Sequence, residues 1–166
     1  MSTLRVDNLR GETADGKNRY IIQVVQSVLT TRFTSTSTSY AVVTGASASI
    51  TPLSTNNKVL VTVDCTLGNG SINNATLIRL RRDGADIGNG TGATEADYNC
   101  FLSHIGASAA NCNGQSKSFL DTPNSTSSLT YDLTICAKNG TASIGGRAES
   151  ANMANSTIIT LMEIAQ

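Results

Sequence analysis

Few side chains in this chain have intrinsic reactivity. His104 is the only histidine among 166 residues, and cysteines stand at 65, 100, 112 and 136. Cys100, His104 and Cys112 would offer a metal three ligands. Tetrahedral zinc needs a fourth, and no two cysteines form a C-x-x-C pair, so no metal is expected and the thiols read as free and buried. A serine nucleophile would have His104 as its only base, and no G-x-S-x-G elbow occurs. Glu95 and Asp97 stand two apart, and on an extended segment they point to opposite faces, unlike a facing pair for glycosidic cleavage. Gly88-x-Gly90-x-Gly92 has the look of a phosphate loop. Thr94-Glu95-Ala96-Asp97 then leads to a strand-like stretch from Tyr98 to Leu102, not to a helix N-terminus. Arg79, Arg81 and Arg82 form a basic cluster, read as a charged strand edge, with phosphate binding as the second reading. A polysaccharide-cleaving enzyme would need a long groove and paired carboxylates, and neither is visible. The inventory predicts no enzyme and no cofactor.

The elements that must carry these residues follow from composition. Serine and threonine fill 41 positions and asparagine 15, aromatics are 4% and Trp is absent. Such residues compete with the backbone inside helices and suit strands and turns. The length allows about one domain. With 12 basic and 12 acidic residues, no net field attracts nucleic acid or an anionic membrane. No apolar run approaches the ~20 residues of a membrane span. Met1 to Arg10 has no apolar core of a secretory signal, so synthesis in a cytoplasm is expected. The six N-x-S/T sequons, beginning at Asn69, Asn74, Asn89, Asn124, Asn139 and Asn155, follow from composition.

Residues 1–19 read as an anchoring arm, with Leu4, Val6 and Leu9 as the docking groups and a polar link from Gly11 to Asn18. Residues 20–166 read as one antiparallel β-sandwich or jelly roll. Val59, Val61, Val63, Cys65 and Leu67 alternate with polar residues, as do Leu129, Tyr131, Leu133, Ile135 and Ala137, the pattern of strands with one dry face. Further strands are expected at Ile21 to Phe33, Ala41 to Thr44, Ser47 to Thr51, Tyr98 to Ile105, Ser116 to Leu120, Ala142 to Arg147 and Thr157 to Ile164. Asp83-Gly84 predicts a hairpin turn, and Gly68-Asn69-Gly70, Gly88-Asn89-Gly90 and Asn113-Gly114 predict turns. The first and last strands carry apolar residues on both faces. Ile22, Val24, Val28, Ile158, Met162 and Ile164 therefore predict a subunit interface in a symmetric homo-oligomer.

Thr36-Ser37-Thr38-Ser39-Tyr40-Ala41-Val42-Val43-Thr44-Gly45, Ser49-Ile50-Thr51-Pro52, Lys58-Val59-Leu60-Val61, Arg79-Leu80-Arg81-Arg82-Asp83-Gly84, Ser118-Phe119-Leu120-Asp121-Thr122-Pro123, Thr130-Tyr131 and the closing Ser156 to Ala165 occur in an order that resembles the C-terminal module of tailed-bacteriophage tail fibre and virion structural proteins, those of marine phages and cyanophages included. The opening Ser2 to Leu9 is similar to their leader. The resemblance covers about Tyr20 to Gln166. It implies a trimeric β-sandwich on the outside of a phage particle, its arm held by tail, neck or capsid proteins. Two roles are consistent with it. One is a short tail fibre or adhesin-like receptor-binding trimer, with Asn69, Asn89, Tyr98 and Asn113 in candidate host-contact loops and a host surface glycan as candidate ligand. The other is a capsid decoration (cement) protein that stabilises the head.

Overall fold

A computed structural model describes residues 19–72, 74–106 and 111–166, so Leu4, Val6 and Leu9 of the expected arm lie outside the described residues. The described chain forms β1 (Ile21–Leu29), β2 (Phe33–Ser35), β3 (Ala41–Ile50), β4 (Lys58–Asn69), β5 (Ala75–Arg82), β6 (Ala85–Ile87), β7 (Leu102–Ile105), β8 (Cys112–Asp121), β9 (Leu129–Ala137), β10 (Ala142–Ile144) and β11 (Thr157–Ile164). All the pairings between these strands are antiparallel. The described residues contain no α-helix, only a 3-10 turn at Ala96–Tyr98. The chain is all-β, as its composition predicts.

The first sheet has the order β1-β11-β4-β10-β2, with β8 on the opposite edge of β4. β11 covers Lys58 to Asp64 of β4 and β10 covers Leu67 to Asn69. β1 lies beyond β11 and β2 beyond β10. β10 and β11 are therefore one line of the sheet, opened between Ile144 and Thr157, and β1 and β2 are the line beside it. The second sheet runs β3-β9-β5-β6, with β7 sharing the β6 edge of β5. Ala85 to Ile87 pair with Arg82 to Leu80, and Leu102 to Ile105 with Ile78 to Ala75. β6 and β7 are likewise one line, opened between Ile87 and Leu102. The eleven strands thus run along eight lines, four in each sheet.

Alternation decides which faces meet. Val59, Val61, Val63, Cys65 and Leu67 are buried, and so are Leu129, Tyr131, Leu133, Ile135 and Ala137. With Val43, Ile50, Ile78, Leu80, Ile159 and Leu161 they fill a single core between the sheets. Each fully buried aliphatic or aromatic side chain contributes about 1.5–3 kcal/mol relative to its exposed state. Tyr131 reaches through this layer from the second sheet, and its hydroxyl donates to Asp121 Oδ2 of the first at 2.7 Å. Arg82 Nη1 donates to the same oxygen at 2.6 Å.

Several local expectations shift. The Asp83-Gly84 hairpin forms as predicted, with φ of 49° and 82°; two consecutive positive values are what a type I′ turn requires, and they match the twist of the flanking strands. Tyr98 lies in the 3-10 turn, not in a strand, and β7 begins only at Leu102. β8 starts at Cys112, so Asn113-Gly114 is ladder and not turn. Both residues pair with Leu67 and Thr66 because β4, 12 residues long, supplies a template that overrides the dipeptide's turn preference. Ala41 to Ile50 form one strand whose register with β9 shifts between Val42 and Ser47.

One end of the first sheet is fastened by a buried carboxylate. Glu163 is fully buried on β11. It accepts from Leu53 N at 2.7 Å, from Asn57 Nδ2 at 2.6 Å and from Gln23 Nε2. Burial pushes its pKa up, but these bonds and a backbone bond from Ser54 outweigh it and hold the group below its usual value. The 51–57 connection is thereby tied to β1 and β11.

Candidate functional site

The outer face of the first sheet carries an apolar band that follows from strand register. Val24 pairs with Met162, Met162 with Leu60, and Leu60 with Leu120. Side chains in register share a face, so the four form one row across all four lines of the sheet, about 14 Å at the ~4.8 Å strand spacing. Val24 is 58% exposed and Leu120 46%; Leu60 and Met162 are half-buried. Gln26, Thr160, Thr62 and Ser118 form the next row, and it is polar. Gln26 Nε2 donates to Thr160 Oγ1 at 3.1 Å, and the Thr62 and Ser118 hydroxyls lie 2.9 Å apart. Beyond it Val28, 47% exposed, pairs with half-buried Ile158.

Of the six residues expected at an interface, Val24 and Val28 are exposed on this surface and Ile158, Met162 and Ile164 are half-buried along it, while half-buried Ile22 sits at the register shift between Ile21 and Gln23. Sequence reading missed Leu60 and Leu120. The signal was present, since both are apolar and the next alternate positions hold Thr62 and Asp64 in β4 and Ser118 and Ser116 in β8, but only register brings them beside Met162.

The arginine cluster is not a free basic edge. Arg81 Nε and Nη2 grip both oxygens of Asp132 at 2.8 and 2.7 Å across β5 and β9. Arg82 turns inward to Asp121. Arg79 faces outward, and each of its nitrogens has a protein acceptor: Nε to Asn99 O at 2.9 Å, Nη2 to Ala96 O at 3.1 Å, Nη1 to Asp86 Oδ2 at 3.0 Å. Its guanidinium also stacks 3.9 Å from the centre of the Tyr40 ring. All three arginines are committed to carboxylates, which removes the phosphate reading.

Arg79 instead shapes the segment that opens the β6–β7 line. Gly88 to Phe101 leave the sheet and return through Gly90 N to Cys100 O at 3.0 Å and Phe101 N to Ile78 O at 2.7 Å. Between Arg79 and this segment lies an open hollow of about 360 Å³, its wall including Arg79, Asp86, Asn89, Thr91 and Asn99. With Arg79 and Asp86 neutralising each other, the wall carries amide, hydroxyl and carboxylate groups suited to a neutral polar ligand.

The four expected host-contact residues separate. Asn89 is half-buried on the wall of the hollow. Tyr98 is 39% exposed on the same segment, with Lys138 Nζ 4.7 Å from its ring centre. Asn113 is exposed, but on edge strand β8 and not in a loop. Asn69 corrects the expectation, because it is fully buried at the end of β4, where its Nδ2 donates to Ser71 O.

The residues considered for catalysis do not assemble. His104 is 5% exposed on β7, and its Nε2 has no hydrogen-bond partner among the described residues. Cys65, Cys100, Cys112 and Cys136 form no disulfide among the described residues. Burial pushes the Cys65 thiol up to about 12, far from the thiolate a nucleophile needs. Among the described residues no three His, Cys, Asp or Glu side chains converge as metal ligands. No protein-family model matches the chain, and no curated protein is found to match it.

Proposed function

We propose that the chain is a non-enzymatic structural protein of a tailed-bacteriophage virion, a homotrimeric jelly roll that serves as a short tail fibre or receptor-binding projection. Strand order supports the jelly roll. Numbered along the chain, the eight lines lie in the orders 1-8-3-6 and 2-7-4-5, the arrangement of two Greek keys folded on each other, an architecture that recurs in viral capsid and lectin domains. The observation that carries the trimer is the apolar row Val24, Met162, Leu60, Leu120, which the described residues leave exposed at Val24 and Leu120 and half-buried between them. A second copy offers a surface of matching chemistry, and closed rotational symmetry bounds the assembly. The phage assignment rests on the ordered sequence resemblance, and the Arg79 hollow with exposed Tyr98 is the surface assigned to a host glycan.

Cryo-electron microscopy of purified particles tests the assignment: density for this chain at a tail or neck is expected. Density on threefold positions of the head lattice would replace the receptor-binding role with the cement role, and absence from particles would overturn both. Light scattering of the full chain should give the mass of a trimer at micromolar concentration, and a monomer would remove the oligomer from the proposal.

A further inference from the structure

Four Asn-Gly dipeptides occur, at 69–70, 89–90, 113–114 and 139–140. In this dipeptide the glycine amide nitrogen, unhindered by a Cβ, can attack the asparagine side-chain carbonyl. Three of the four are protected. Asn69 is fully buried, and Gly70 N is engaged by Thr141 O at 2.7 Å. Gly90 N is engaged by Cys100 O at 3.0 Å, and Asn89 Oδ1 is buried. Asn113 is exposed but sits inside the β8–β4 ladder, where the extended backbone must leave the sheet before Gly114 N can approach Cγ. The fourth has none of these restraints. Asn139 and Gly140 are both exposed in the connection between β9 and β10. Gly140 has φ of 76° and lies outside every ladder, and its nitrogen has no acceptor among the described residues.

We infer that Asn139 is a site of spontaneous deamidation, and that it reacts ahead of the other three. Gly140 N loses its proton to water or hydroxide and bonds to Asn139 Cγ; the Cγ–Nδ2 bond breaks, and ammonia leaves with a proton from solvent. The five-membered imide that results takes up one water at either carbonyl, giving aspartate or isoaspartate. No oxidant, metal or enzyme enters the balance.

The consequence is local and directional. The Asn139 backbone ties the β9–β10 connection to the 70–74 segment: its N–H donates to Asn74 Oδ1 at 2.7 Å, and its carbonyl accepts from Ser71 Oγ at 3.2 Å. Isoaspartate reroutes the main chain through the side chain and lengthens it by one methylene, which displaces both groups. The aspartate product keeps the route, and either product adds one negative charge. Age of the protein is thereby written into one corner of the sandwich.

Incubation of the full chain at mildly alkaline pH, followed by peptide mapping, tests this. Expected is the mass change of one amide-to-acid conversion confined first to the peptide containing Asn139, with two isomeric products separable by chromatography. N139Q should block it without loss of fold, since only the Asn139 backbone makes the two described contacts. A chain that converts at Asn69, Asn89 or Asn113 as fast as at Asn139, or that does not convert at 139 while unfolded chain does, overturns the inference.

Discussion

At the scale of single residues, two buried ionisable groups both weaken the fold as pH falls, in separate windows. Burial lowers the His104 pKa below its usual 6.5, against an opposing backbone hydrogen bond at Asn111. Below about pH 6.5 the unfolded chain takes up a proton that the folded chain resists, so stability falls as pH drops from there to the folded value and then levels. Thermal unfolding between pH 7.5 and 5 should show this slope, and H104Q should flatten it; an unchanged slope in H104Q would assign it elsewhere. Glu163 acts in a lower window. Its folded pKa lies below the usual 4.5, so its stabilisation is complete above 4.5 and is lost as pH falls through the folded value. In E163Q an amide N–H₂ replaces one acceptor among the donors of Leu53, Asn57 and Gln23, and leaving buried donors unmatched should cost about 1–3 kcal/mol in denaturant unfolding. Tyr131→Phe should cost about as much, because Asp121, 8% exposed at its side chain, loses one of two donors.

At the scale of elements, the strands whose alternation is strict were legible and those that depend on a neighbour were not. β4 and β9 could be read directly, since Val59 to Leu67 and Leu129 to Ala137 each put one apolar set on one face. β8 could be read only in its second half, because Asn113-Gly114 is a turn signal in isolation and becomes strand through pairing with β4. The interrupted lines were hidden for a related reason: the expected strand Ala142 to Arg147 stops at Ile144, and the 145–156 segment shows itself as an opening in one line only when Ile144 and Thr157 are seen to lie against one partner. That segment is closed by Asn155 N to Gly145 O at 2.8 Å and by a bridge between Gly146 and Ala154. Gly146 has φ of 147°, and a Cβ there would stand 2.2 Å from Met153 O. G146A should therefore cost about 1–3 kcal/mol, measured as a lower unfolding midpoint. The arginines were legible as a cluster but not as three ion pairs, since Asp121 and Asp132 lie 39 and 51 residues from their partners.

At the scale of the whole molecule, the two outer faces differ in kind. The second sheet presents the Arg81–Asp132 pair, Arg79 and a Ser49–Thr130 hydroxyl contact of 2.9 Å, while the first presents the Val24 to Leu120 row. V24D and L120D place charge on exposed ends of that row, where they disturb the interior little. Each should dissociate the proposed trimer in sedimentation while moving the unfolding temperature of the separated chains by no more than a few degrees; a trimer that survives both would shift the interface to another face. The opening in the β6–β7 line has a different consequence. Its base is fastened at Gly90 and Cys100, and Thr91 to Glu95 beyond it are exposed. Foreign sequence spliced between Thr91 and Glu95 would lengthen an arch that lies outside both sheets and is tied inward through Ala93 N to Asn99 Oδ1 at 3.1 Å. This is the place where the scaffold can exchange one cassette for another, by recombination or at the bench, and still fold as before.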